Sequence, residues 1–308
     1  MQKALIVTPF FRPNIGGCET FAEDLAQALL KKYDLVHVST IKWKKPIVWE
    51  GLSFRKAVRM VFKLASPTFK MVDEYKYDKV YALGLIASCV CCILNIPFYT
   101  VMLALYDFKK RNWFTRWILN RAEKVFVEGH AGEEDVINLG VPKHNIIRYQ
   151  HWCDQSKFHP IDRKREGNLK VLFVGRPIPI KGKHIIQACE KLTEGIDYEY
   201  IENVKYEDLP QYYQRADVLV VPSLYNEGFT RVVIEAASCG CIILASNRGA
   251  LPELVEPYGF AIEPTPGNFK RMLVRWSTSP RFVKLTQDTT FIFAQHNFSA
   301  KNAEVFFK

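Results

Sequence analysis

With 308 residues, 48% of them hydrophobic and 24% charged, the chain has the size and composition of a globular protein with room for two cored domains. Low-complexity and fibrous classes are excluded, and the longest apolar run, LGLIASCVCCILNI (83–96), is too short to span a bilayer and reads as a buried helix. The net charge of +10 is lopsided: residues 1–160 hold 23 Lys and Arg against 15 Asp and Glu, residues 161–308 hold 19 against 17, so the first half is suited to meet something anionic.

The N-terminal MQKALIVTPFF carries one Lys and then a strand-like run, not a secretory signal, and the expectation is a cytoplasmic protein. ALIVT (4–8) predicts a strand. ETFAEDLAQALLKKY (19–33) has apolar residues at 21, 22, 25, 26, 29 and 30 and predicts a helix. LVHVST (35–40), KVYAL (79–83), FYTVML (98–103) and KVFVE (124–128) continue as strands, with little to place between residues 40 and 78. This βαβα rhythm predicts a doubly wound parallel sheet. A second series follows the polar stretch IDRKREGNLK (161–170): strands VLFVG (171–175), YEYIE (198–202), DVLVVPS (217–223) and CIILAS (241–246), with helices between them such as GKHIIQACEKL (182–192). The expected organisation is α/β throughout. It has a first domain at 1–160, a second at 161–290, and a C-terminal helix at 291–308 returning to the first. Two such domains facing each other would enclose a cleft at the carboxyl ends of their strands. The eight Cys sit singly or in apolar runs, and the CxxC of Cys89 and Cys92 lacks a second pair, so buried thiols are expected rather than a metal site.

The chemistry concentrates in SLYNEGFTRVVIEAASCGCIILAS (223–246). DVLVVPS reads as a strand and RVVIEAAS as a helix, which puts residues 224–230 in a strand-to-helix loop. Gly228 lets backbone approach a ligand. The N–H groups around Thr230, Arg231 and Val232, with the helix dipole, suit a phosphate. Glu227 would project from the loop and Glu235 from the early helix, each a good acceptor for paired sugar hydroxyls. An isolated E-x7-E would mean only a loop and a surface glutamate. Here it is joined by VGRPIPIKGK (174–183), where Gly175 permits a turn and Arg176 and Lys181 supply two cations for a diphosphate. Gly16-Gly17 before the first helix is a weaker phosphate-approach signal.

PNIGGCETFAEDLAQAL, VLFVGRPIPIKG, YYQRADVLVVPSLYNEGFTRVVIEAASCGCIILAS and GALPELV together resemble the retaining glycosyltransferases of the GT-B fold, family 4. The resemblance implies two Rossmann-like domains facing across a cleft, a nucleotide-diphosphate sugar as donor, retention of configuration, and no metal or other cofactor. It implies that Glu235 binds ribose, that Glu227 contacts the transferred sugar, and that Arg176 and Lys181 stabilise the leaving diphosphate. Gly175, Gly228, the Phe229–Val232 backbone and Gly16-Gly17 would hold the donor. Tyr106-Asp107 stand where His-Asp is expected against the donor sugar.

Two stretches of the first domain interleave cations with aromatics: KWKKPIVWEGLSFRKAVRMVFK (42–63) and KKRNWFTRWILNRAEK (109–124). Both suit an anionic membrane surface, and both equally suit a core-facing helix with a solvated basic side. The expected partners are the donor, a glycan or lipid-linked acceptor, and the cytoplasmic membrane face. No nucleic-acid motif appears. The rival expectations are a non-catalytic nucleotide-sugar binder and a glycosyltransferase that modifies nucleic acid through its basic first domain.

Overall fold

The computed structural model describes residues 1–11, 16–42, 54–103, 112–162 and 167–307. The chain divides into two units, Met1–Tyr149 with Ala303–Lys308, and Gln150–Asn302.

In the first unit the order is β1 (Lys3–Val7), α1 (Gly17–Leu29), β2 (Leu35–Ser39), α2 (Phe54–Glu74), β3 (Lys79–Leu83), α3 (Gly84–Ile93), β4 (Tyr99–Val101), α4 (Asn112–Leu119), β5 (Lys124–Glu128), α5 (Gly129–Asn138) and β6 (Ile146–Tyr149). Its sheet runs β2-β1-β3-β4-β5-β6, parallel at every pairing. The second unit holds β7 (Leu169–Val174), α6 (Lys183–Glu190), β8 (Ile196–Ile201), α7 (Leu209–Arg215), β9 (Val218–Val221), α8 (Arg231–Ser238), β10 (Ile242–Ser246), α9 (Leu251–Val255), β11 (Phe260–Ile262), α10 (Pro266–Ser277) and α11 (Pro280–Asn297). Its sheet is β11-β10-β9-β7-β8, again parallel. The inner strands are buried along their length, β9 and β10 completely. That is why they read as unbroken apolar runs: helices cover a parallel sheet on both faces, so no polar alternation survives.

α8 shows how local sequence sets an element. Thr230 is extended at its start. Val233, Ile234, Ala236 and Ala237 give it a buried side. Gly240, at φ +81°, ends it: Gly240 N–H bonds Ala237 O at 3.0 Å and Cys241 N–H bonds Ala236 O at 2.9 Å, the paired closure of a left-handed C-terminus.

The structure differs from the sequence reading in three places. The interval 40–78 is not empty, because α2 occupies twenty-one residues of it. The first unit ends at Tyr149 rather than 160. Trp152, Cys153 and Phe158 are buried, Cys153 N–H bonds Phe298 O at 3.2 Å, and the Phe158 ring packs on Tyr206 and Tyr213, so 151–160 belongs to the second core. The C-terminal return begins at Ala303 rather than 291, because Ala294 and Phe298 are part of the second unit's core. What does return is Phe306, whose ring meets Phe21, Tyr81, Phe126 and Tyr149. Burying such a side chain contributes about 1.5–3 kcal/mol.

Seven of the eight Cys are buried as expected, with Cys18 half-buried. Burial pushes the thiols of Cys89, Cys91, Cys92, Cys189 and Cys239 upward, which keeps them protonated and unreactive. Among the described residues no helix is long and apolar enough to cross a membrane.

Candidate functional site

In the second sheet the strand order reverses between β7 and β9, with β8 on one side and β10 and β11 on the other. Ligands of open parallel sheets bind beyond the carboxyl ends of the strands at such a reversal. The loops leaving β7 and β9 carry Arg176 to Lys181 and Tyr225 to Thr230, the two stretches the sequence singles out.

Two glycines bring these loops together. Gly182 sits at φ +74°, and a Cβ there would lie 1.9 Å from Pro222 O, so only glycine lets the Lys181 turn rest on the end of β9. Leu224 N–H then bonds Ile180 O at 2.8 Å. Gly249, at φ +60° after β10, lies against the Glu227 backbone, where a Cβ would come within 2.2 Å of Glu227 O. Ala250 N–H bonds that same oxygen at 2.8 Å. The left-handed position in this loop is Gly182, while Gly175, where a turn is expected, lies in a bend just after β7. Gly175 instead gives its N–H to Ile201 O at 3.1 Å.

The result is a knot of charges. Lys181 Nζ reaches Glu227 Oε1 at 2.7 Å and Tyr225 OH at 2.8 Å. Ser223 Oγ donates to Glu227 Oε1 at 2.5 Å and Tyr225 OH to Oε2 at 2.7 Å. Glu227 does not project from its loop. It is 6% exposed, and two hydroxyl donors and the Lys181 ammonium replace the lost water. An ammonium has three N–H groups, so Lys181 keeps one, and Glu227 Oε2 keeps one acceptor direction.

A second knot lies at the start of α8. Glu235 is 2% exposed. Its Oε2 accepts from Tyr213 OH at 3.1 Å, and its Oε1 is 3.3 Å from Arg231 Nε. Burial, and next the charge of Glu235, push the Tyr213 phenol well above its ordinary range, so it remains a donor. Arg231 Nη2 donates to Tyr206 OH at 2.9 Å.

Among the remaining expected residues, Arg176 is exposed and makes no ion pair among the described residues. Gly228, Phe229 and Val232 are half-buried, and Phe229 and Val232 pack against the second core. Thr230 makes no side-chain cap, leaving the first N–H groups of α8 without an intrahelical acceptor. In the first unit Gly16 precedes α1 in extended conformation and Gly17 is its first, exposed residue. The Glu19 carboxylate folds back over Gly16. Tyr106 and Asp107 lie outside the described residues. Ser223, Tyr225, Tyr206, Tyr213, Gly182 and Gly249 escape the sequence reading, although all but Tyr206 lie within or beside the stretches it quotes. Among the described residues no group of three or more His, Cys, Asp or Glu is placed to hold a metal ion.

Two parallel-sheet, Rossmann-like units with charged loops at a strand-order reversal define the GT-B class of fold. Residues 157–288 match the family described as "Glycosyl transferases group 1". The chain is similar to O-antigen chain mannosyltransferase B of Escherichia coli, 43% identical over 78 residues, which is 25% of this chain and 20% of that protein. Among solved structures, sucrose-phosphate synthase from Thermosynechococcus elongatus has a TM-score of 0.82 at 18% identity, covering 100% of this chain and 97% of the other. HepE of Anabaena, solved with UDP-glucose, has a TM-score of 0.73 at 16% identity, covering 99% and 98%. At these identities the likeness is one of fold. The matches to curated relatives span 20%, 18% and 33% of those proteins' own lengths.

Proposed function

We propose that this protein is a retaining family 4 glycosyltransferase that moves a hexose from a nucleotide-diphosphate sugar to a hydroxyl of a glycan or lipid-linked acceptor. The observation that carries the reading is the pair of buried carboxylates, Glu227 and Glu235, each held by one cation and at least one phenol beside the strand-order reversal of the matched segment. Such carboxylates are organised before the ligand arrives, so binding a sugar hydroxyl requires no reorganisation.

In this reading Glu235 accepts the ribose hydroxyls, and the diphosphate sits at the N-terminus of α8. Glu227 offers its remaining acceptor direction to the transferred sugar. Lys181, through its third N–H, and Arg176 face the charge that grows on the diphosphate as the glycosidic bond breaks. These cations and the helix terminus supply the positive charge that a metal provides elsewhere, so no metal cofactor is proposed. UDP is a reasonable first probe because HepE was solved with UDP-glucose.

The reading places the protein on the cytoplasmic face of an anionic membrane. α2 turns Arg55, Lys56, Arg59, Lys63 and Lys70 outward together with Phe62, 71% exposed, and Phe69. Trp113 of α4 is 75% exposed. Of the basic segments, 43–53 and Lys109–Arg111 lie outside the described residues.

The test is a thermal-shift titration with nucleoside diphosphates and their sugars, followed by donor hydrolysis. A ligand at about 100 times its Kd stabilises by about 2.7 kcal/mol. Glu235→Gln is expected to weaken nucleotide binding by about 1–3 kcal/mol. Unchanged affinity removes Glu235 from the site. Binding without donor turnover leaves a nucleotide-sugar binder.

A further inference from the structure

The hydrogen bonds around Lys181 close into a ring. Lys181 Nζ donates to Glu227 Oε1 at 2.7 Å and to Tyr225 OH at 2.8 Å, and Tyr225 OH donates to Glu227 Oε2 at 2.7 Å. An ammonium only donates and an ionised carboxylate only accepts, so the phenol, which does both, is the member that closes the ring. Tyr225 is half-buried in the loop after β9, while Lys181 comes from the loop after β7, 44 positions earlier.

Charge compensation does not require the phenol. Lys181 and Glu227 already pair with each other, and Ser223 Oγ gives Glu227 Oε1 a second donor at 2.5 Å. A phenylalanine would fill the same place with its ring. What the hydroxyl adds is orientation. Lys181 and Ser223 both hold Oε1, and a carboxylate held at one oxygen can swing about it; the bond to Oε2 stops that swing. Lysine is a point charge on a flexible stem, and a second fixed partner narrows where its ammonium sits. The ammonium lies 5.0 Å from the centre of the Tyr225 ring and 2.8 Å from its hydroxyl, so the contact is with the oxygen rather than the ring face.

We propose that Tyr225 is a positioning residue for the transfer step: its hydroxyl holds the Lys181 ammonium and the Glu227 carboxylate in one fixed arrangement, so that the group facing the diphosphate and the group facing the transferred sugar act as a unit. This rests on the reading of Lys181 as the leaving-group cation and Glu227 as the sugar contact. Those two contacts fall on either side of the bond that breaks. An error in their relative placement is therefore felt in the transition state, whereas a nucleoside diphosphate without its sugar meets only one of them. Groups fixed beforehand also need no reorganisation as charge develops on the leaving diphosphate.

The experiment measures hydrolysis of UDP-glucose, ADP-glucose and GDP-mannose by the wild type and takes forward the donor hydrolysed fastest. On it are compared Tyr225→Phe, Ser223→Ala, Lys181→Ala and the double variant of Tyr225→Phe with Lys181→Ala. Tyr225→Phe is expected to lower kcat about 5–20-fold, with KM and calorimetric affinity for the matching nucleoside diphosphate within about twofold of the wild type. Ser223→Ala leaves both oxygens of Glu227 held and should lower kcat by less than about threefold. Without the ammonium there is no ring to close, so adding Tyr225→Phe to Lys181→Ala is expected to cost less than about threefold more. Wild-type kcat in Tyr225→Phe, or two losses that multiply in full in the double variant, overturns the proposal and leaves the reading of Lys181 and Glu227 standing. Equal losses in Ser223→Ala and Tyr225→Phe would make the phenol one more donor to Glu227 and overturn it as well. So would a Tyr225→Phe protein that melts earlier yet turns over normally while folded, since its role would then be structural. A wild type that hydrolyses none of the three donors overturns both the proposal and the reading beneath it.

Discussion

Both units place a left-handed glycine where their strand order reverses, and the two glycines meet opposite surroundings. Gly182, after β7, has φ +74° and Pro222 O where its side chain would be. Gly84, after β3, has φ +77°, and among the described residues nothing lies within 4 Å of where its side chain would be. Among the described residues the same backbone solution is packed shut in one unit and open in the other. The difference extends to the charges. Beside its reversal the second unit pairs the half-buried Lys181 with buried Glu227, and buried Arg231 with buried Glu235. The most concentrated cations and aromatics described in the first unit lie instead on the exposed sides of α2 and α4. Buried charges demand fixed partners and therefore fixed positions. Exposed charges demand only a favourable sum. One sheet architecture thus supports a site of defined geometry and a surface of defined character.

The largest effect that could break this contrast is kinetic. Lys181→Ala is expected to lower turnover by about 10²–10³-fold, and Arg176→Ala by less, because Arg176 is exposed; donor KM should change little in either. Arg59→Gln and Lys63→Gln on α2 should leave donor hydrolysis unchanged. Steady-state rates decide, and a double variant of Arg176 and Lys181 with wild-type turnover removes the leaving-group role. Activity in chelator should equal activity without it, and a loss there reveals a metal.

Next in size is stability. Gly182→Ala combines left-handed strain with a collision against backbone, and is expected to cost about 2–3 kcal/mol, whereas Gly84→Ala carries the strain alone, about 1 kcal/mol. Chemical denaturation of the two variants measures the gap. Equal losses would mean that Pro222 yields, and that the two reversal points are alike after all.

The smallest effects belong to the outer face. Each cation near an anionic surface contributes on the order of 1 kcal/mol. The wild type is expected to sediment with anionic but not zwitterionic vesicles, less so as salt rises, and neutralising Arg55, Arg59 and Lys63 one at a time should weaken this stepwise without touching nucleotide affinity. A protein that stays in the supernatant with anionic vesicles at low salt has no membrane face here, and a soluble acidic acceptor becomes the better reading.

The sequence by itself determined the two parallel sheets, because strands covered on both faces must be apolar throughout, as VLVV and IILAS are. It also placed Glu227 in a strand-to-helix loop and Glu235 in the helix after it, since strand and helix differ in period over a short stretch. Only the tertiary structure decided what holds them. Glu227 meets Lys181 across 46 residues and Glu235 meets Tyr213 across 22, and each partner is a single position without a periodic signal. Glu227, expected to point outward, therefore lies buried under its donors. The boundaries were decided the same way. Phe158 and Phe306 are equally apolar in the sequence, yet one fills the second core and the other the first. Hydrophobicity states that a side chain will be buried, and only the space left by every other element states where.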